Sequence, residues 1–90
     1  MANISHGMNV GEVEDLGGRL KNVSQQINDM INMLNGKVAN TSWLGPDAAK
    51  FKNDWWPQHR SQLQKMVKDL DGFGQSALNN ASEQKKVSGG

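Results

Sequence analysis

Hydrophobic residues recur along the first third of the chain with a helical period. Val13, Leu16, Leu20, Val23, Ile27, Met30 and Leu34 are separated by 3, 4, 3, 4, 3 and 4 residues. This spacing keeps one apolar stripe on one side of an α-helix, the a/d pattern of a bundle or coiled-coil seam. Asn9 followed by Glu12 has the form of a capping box, in which the Asn side chain accepts from a free backbone N–H. The pattern predicts a first helix over about 10–40, roughly 45 Å long at 1.5 Å per residue. Gly17 and Gly18 oppose it by about 1 kcal/mol each relative to Ala, leaving open a helix that begins only after them. Continuity is favoured because Val13 and Leu16 stay in phase with the later stripe, and the glycines would then allow a neighbouring helix to come close.

Toward the end of this segment the apolar face widens, as Ile31 and Val38 join Ile27 and Leu34 and Met33 falls beside Met30. A helix in a lone hairpin needs one seam, whereas a helix in a four-helix bundle touches two neighbours, so the widening favours a second chain. The chain then turns over 41–45. Gly45 as N-cap, Pro46 at the first helical position and Asp47 beside the positive helix end signal a second helix over about 46–84. Its stripe is Ala48, Phe51, Trp55, Leu63, Met66, Leu70, Phe73, Ala77 and Ala81, interrupted between Trp55 and Leu63. Pro57 sits in the interruption, predicting a kink near Trp55 and Trp56; the alternative is a break, with Asp54 capping a fresh helix. Beyond Ala81 the stripe ends, and 85–90 reads as a polar tail. The fold class is thus all-α: one domain over 1–90, an antiparallel helix–turn–helix hairpin that pairs into a four-helix-bundle dimer. The second helix is the longer, so its C-terminal turns should project past the first.

Composition sharpens the need for a partner. A 90-residue chain that is 36% hydrophobic, with mean hydropathy -0.70, holds a thin supply of core side chains. Disulfides are excluded because there is no Cys, and oligomerisation is the remaining way to stabilise so small a scaffold. Five Met residues suit an adaptable core. Net charge is +1 with no dense basic block, which argues against nucleic-acid binding. Met1 to Val10 carries no Sec-type signal pattern, and no apolar run reaches the roughly 18 residues of a membrane span.

Catalytic constellations are missing from the sequence. His6 and His59 stand apart from other ligand types, His59 being expected at a surface or rim, and no nucleophile–base set or phosphate loop can be drawn. No enzyme activity, cofactor or metal is expected. The informative cluster is aromatic. Phe51 and Trp55 are expected in the core, Trp43 in the turn is a candidate interface anchor, and Trp56, off the main stripe, is a second candidate for partner contact. Val23, Ile27, Met30, Leu34, Leu63, Met66, Leu70 and Phe73 complete the expected interface and core.

Trp43-Leu44-Gly45, centred between two amphipathic helices and followed by Pro46-Asp47-Ala48-Ala49-Lys50-Phe51 and Trp55, resembles the Trp-X-Gly (WXG-type) family of early-secreted-antigen-like small proteins of type VII secretion, in the form seen in actinobacterial members. The resemblance covers essentially the whole chain. It implies a hairpin that pairs antiparallel, with itself or with a related WXG-type protein, and export in the folded state by a signal-peptide-independent route. It also implies a bipartite signal: the turn, here Trp43 and Gly45, lying beside a C-terminal Tyr-x-x-x-Asp/Glu of the partner. This chain departs from the second half, having no Tyr, and the residue four before Glu83 is Asn79. Either a partner supplies the aromatic element or this chain is not itself the recognised substrate. The expected function is therefore that of an exported or co-secreted pairing protein. An intracellular coiled-coil adaptor and a membrane-active amphipathic protein are the alternatives, the latter disfavoured because Lys and Arg do not concentrate around the apolar faces.

Overall fold

The structure, a computed structural model, describes Ile4, Ser5 and residues 7–87; His6 and the last three residues of the polar tail lie outside the described residues. Two helical arms form an all-α hairpin. Helix α1 covers Val10–Asn40. The second arm is one joined helix made of α2 (Pro46–Lys50), a π-helical turn (Phe51–Trp55) and α3 (Trp56–Val87). Ahead of α1, the two-residue strands β1 (Ile4–Ser5) and β2 (Met8–Asn9) pair antiparallel, with Gly7 at φ 82° between them. The apolar pattern predicted no strand; a positive φ at glycine in a tight connection supplies the reversal that this small hairpin needs.

Local chemistry explains where the helices start and stop. Asn9 Oδ1 accepts from the Glu12 backbone N–H at 3.1 Å, satisfying one free donor of the first turn of α1. At the other end Thr41 Oγ1 donates to the Lys37 carbonyl at 2.6 Å, and Lys52 Nζ reaches back to the Thr41 carbonyl at 2.6 Å, tying the turn to the second arm. Gly45 caps α2 at φ 111° and ψ 173°, a backbone state costly for any residue with a Cβ. We expect Gly45→Ala to lower stability by about 1–3 kcal/mol, read as an earlier urea midpoint with unchanged slope.

The arms pack antiparallel. Gly17 sits level with Gly74 and Asn35 with Trp56, so the numbers of facing residues add to about 91. The buried line of α1 is Gly17, Ser24 and Ile31, each seven residues apart, and that of α3 is Trp56, Gly74 and Ala81. At Gly17 and Gly74 the backbones almost touch. A Cβ built on Gly17 would lie 2.9 Å from the Gly74 carbonyl oxygen, and one built on Gly74 2.8 Å from that of Gly17. Gly17 therefore belongs inside a continuous helix because its missing side chain is where the other arm passes. The buried Ser24 hydroxyl donates to the Lys21 carbonyl at 2.8 Å, so this small polar residue enters the seam without a lost hydrogen bond.

The long apolar stripe of α1 is thus not the line that meets α3. The buried residues stand one position further along, and Leu16, Val23, Met30 and Leu34 remain 44–55% exposed beside them.

Pro57 neither breaks nor ends the second arm. The preceding turn widens to π geometry, the Trp56 N–H bonding to the Phe51 carbonyl, and the helix continues. A wider turn absorbs one additional residue, so Ala48 and Trp56, eight apart, share the buried face. That phase shift reverses the expectation for the tryptophans: Trp56, expected to face a partner, is only 8% exposed inside the hairpin, while Trp55, expected in the core, is exposed. Trp56 Nε1 donates to Asn35 Oδ1 at 3.1 Å, and Arg60 donates to the same oxygen at 2.6 Å. Asn35→Leu would leave both donors without their acceptor; we expect a loss of about 1–3 kcal/mol in thermal or urea unfolding.

The hairpin is a rod, 64 × 17 × 16 Å, with a radius of gyration of 19.6 Å where a compact chain of this length would have about 12 Å. Its accessible surface is 6633 Å², against roughly 5200 Å² for a compact monomer of 9.9 kDa.

Candidate partner-binding surface

The two long sides of the hairpin differ in chemistry. On one side Lys21 Nζ bonds to Asp71 at 3.2 Å and to Gln75 Oε1 at 3.1 Å, bridging the arms. Ser24, Gln25, Asn28, Val67, Lys68 and Asp71 line a shallow depression on this polar side. Helical rotation of about 100° per residue places Leu16, Val23, Met30 and Leu34 on the opposite side of α1. Because the arms are antiparallel, the same rotation places Trp55, Met66 and Phe73 on that same side of the second arm. All of these are exposed; half-buried Leu20, Ile27, Leu63, Leu70 and Ala77 fill the space between them and the seam. The result is one apolar face built from both arms.

Each residue expected at the interface or core can be placed on this frame. Val23, Met30 and Leu34 of α1 and Met66 and Phe73 of α3 lie on the open face, and half-buried Ile27, Leu63 and Leu70 stand between it and the seam. Phe51 is half-buried at the turn end and Trp55 is exposed next to it. Asn79, the position where a C-terminal aromatic is wanting, is exposed and accepts from Gln75 Nε2 at 3.0 Å; Glu83, four residues on, is also exposed. By the register, α3 passes the level of the start of α1 near Ala81, and Lys85 Nζ returns to the Glu14 carboxylate at 2.6 Å.

At the turn, aromatic rings form a ladder. Trp43 and Phe51 are 5.6 Å apart between centroids, Phe51 and Trp55 5.1 Å, and Trp55 and His59 4.0 Å. Trp43, Asp47, Lys50, Phe51 and Trp55 line an open groove of about 290 Å³. Leu44, beside Trp43 at the tip, is 94% exposed. His59 Nδ1 lies 2.8 Å from the Trp55 carbonyl and donates to it in the tautomer that carries the proton there. Tilted, half-exposed rings with polar N–H edges make a surface suited to holding another chain.

No family model, no curated protein and no solved structure matches the chain. Its function is therefore read from its own geometry.

Among the described residues no three His, Cys, Asp or Glu side chains converge as a metal would require, and no helix is long and apolar enough to cross a membrane. Arg19, hydrogen-bonded to Asp15 at 2.7 Å and attracted by its charge, is held above its ordinary pKa; this fully exposed pair is a surface feature.

Sequence reasoning anticipated a close helix approach at Gly17 but missed the line the seam follows, the Asn35 acceptor shared by Trp56 and Arg60, and the π-helical turn. A usable signal existed for the first: Gly17, Ser24 and Ile31 keep a seven-residue spacing, as do Gly74 and Ala81. Small residues at heptad spacing mark a line of close helix approach as well as large apolar ones do.

Proposed function

We propose that this chain is a small helical protein that works by pairing with a second polypeptide. We further propose that the pair serves type VII secretion, as an exported substrate or as the co-secreted partner of a larger protein. The observation that carries the first part is the apolar face formed by Leu16, Val23, Met30 and Leu34 together with Trp55, Met66 and Phe73, left open along one side of a hairpin whose other side is polar. Contiguous apolar surface of this extent favours covering by another chain, at about 25 cal/mol per Å² removed from water. A second hairpin laid on the face completes a four-helix bundle, the arrangement in which each helix has two neighbours.

The secretion part rests on the resemblance of Trp43-Leu44-Gly45 to the Trp-X-Gly turn, and is supported by its setting: Gly45 holds a positive φ, Leu44 is exposed at the tip, and the Trp43 ring leans on Phe51 with much of its surface free. The pair would act by presentation, the bundle fixing the turn aromatics and the end of α3 as a docking surface for the export machinery. With no Tyr in this chain, the C-terminal aromatic of the signal would come from a polypeptide of different sequence, such as the larger co-secreted protein.

The test is export of Trp43→Ala from a bacterium carrying a type VII apparatus. The expected result is loss of the protein from the culture supernatant, with cellular level, helicity and pairing unchanged. Undiminished export would overturn the secretion reading.

A further inference from the structure

We propose that Asn35-Gly36 is a self-modification site, a deamidation that the hairpin holds closed and that proceeds when the turn end of α1 unwinds.

The chemistry is local. Nowhere else in the chain does Gly follow Asn. A side chain on the following residue crowds its backbone nitrogen, whereas Gly36 leaves that nitrogen open, and a Cβ built there would meet nothing within 4 Å. In an unwound chain the Gly36 nitrogen attacks Asn35 Cγ. The N–Cγ bond forms, the Cγ–Nδ2 bond breaks, and ammonia departs with the proton of the Gly36 N–H. Solvent water then opens the cyclic imide at either carbonyl. Opening at Cγ gives an ordinary aspartate. Opening at the backbone carbonyl carbon gives isoaspartate, whose main chain is one methylene longer.

The folded chain opposes the first step at both reacting atoms. Asn35 lies within α1, where the Gly36 N–H is committed to the carbonyl of Asn32, four residues back. The electrophile is tied as well, because Asn35 Oδ1 accepts from Trp56 Nε1 at 3.1 Å and from Arg60 at 2.6 Å across the seam. These donors polarise the carbonyl, which by itself would speed attack. Held against α3, however, the same carbonyl cannot swing onto its own backbone, and the helical nitrogen is not free to reach it. Protection wins. It is thinnest at this end of the rod: Asn35 stands five residues before the end of α1, and every residue from 39 to 47 is exposed. Local opening begins at such ends.

The product differs from its parent in the fold. Isoaspartate interrupts the hydrogen-bond ladder of α1 and removes the acceptor that Trp56 and Arg60 share. The site therefore accumulates a covalent mark with time spent unwound, while an intact hairpin stays unmarked.

The test holds the full chain at mildly alkaline pH, native or in urea, and maps its peptides by mass spectrometry. In urea, deamidation should concentrate at Asn35, with the other Asn residues lagging. In buffer, Asn35 should react at least about tenfold more slowly, since only the opened fraction is competent. Gly36→Ala should lose the reaction in urea and keep its helicity in buffer. Chains carrying isoaspartate at position 35 should melt at a lower temperature than untreated chains once the urea is removed. Isomerisation at Asp71-Gly72 releases no ammonia, and the peptide map separates it. Equal rates at Asn35 in urea and buffer overturn protection by the fold. Deamidation in urea without preference for Asn35, or undiminished in Gly36→Ala, overturns the site. Isoaspartate chains that melt like untreated ones overturn the structural consequence.

Discussion

Leucine in place of Gly17 or Gly74 should abolish the hairpin, and alanine at either position should cost about 1–3 kcal/mol, the range for forcing atoms into a packed site. The reason is backbone contact. A Cβ on Gly17 would stand 2.9 Å from both the Gly74 carbonyl oxygen and Leu78 Cγ; one on Gly74 would stand 2.7 Å from Lys21 Cγ and 2.8 Å from the Gly17 carbonyl oxygen. The Lys21 stem can move, but the carbonyls can only separate if the helices do. Gly18 and Gly72 provide the control, because a Cβ at either meets nothing within 4 Å. There Ala should stabilise by up to about 1 kcal/mol through helix propensity and a less flexible unfolded chain. Gly17→Ala and Gly18→Ala, adjacent substitutions of identical chemistry, should thus move the melting temperature in opposite directions. At about 4–8 °C per kcal/mol for a domain of this size, ordinary thermal scans resolve the difference. Equal stabilisation by both would mean that the arms do not cross at Gly17.

Phe73→Lys should have the second large effect, and it should depend on whether the chain is paired. Phe73 is 63% exposed in the single hairpin, so a lone chain should lose no more than about 0.5 kcal/mol, the scale of an ordinary surface change. In the proposed pair the same residue would lie on the apolar face between the two chains, where an aromatic anchor contributes about 2 kcal/mol or more and a buried, unpaired ammonium adds a desolvation cost. We therefore expect Phe73→Lys to reduce association at least thirtyfold, as about 2 kcal/mol implies, while circular dichroism still reports a helical chain. The wild-type melting temperature should rise with protein concentration and that of the variant should not. Loss of helicity in the dilute variant would instead place Phe73 in the core of the single hairpin.

The candidate site was only partly legible in the chain. Heptad spacing marked Val23, Ile27, Met30, Leu34, Met66, Leu70 and Phe73 as residues needing cover; the structure leaves Val23, Met30, Leu34, Met66 and Phe73 exposed along one face, with Ile27 and Leu70 half-buried between it and the seam. Spacing did not tell which cover each would receive, because a stripe at positions a and d looks the same whether it meets the other arm or a second chain. The tryptophans show the same limit more sharply. Neighbouring residues differ by about 100° around a helix, so one inserted residue in the π-helical turn sufficed to exchange the environments of Trp55 and Trp56. Pro57 was visible as a disturbance, but its effect depended on how the preceding turn could widen.

From its sequence alone this protein is determined to be helical, to turn at Thr41 to Gly45, and to carry more apolar stripe than one seam uses, because period, caps and glycine–proline punctuation act over a few residues. Tertiary structure alone decided that the seam runs through Gly17, Ser24, Ile31, Gly74 and Ala81, that Trp56 is inside and Trp55 outside, and that the exposed stripes of both arms share one side. Those outcomes depend on how closely two backbones can approach and on the phase between distant turns, and neither quantity is written in the spacing of a single segment.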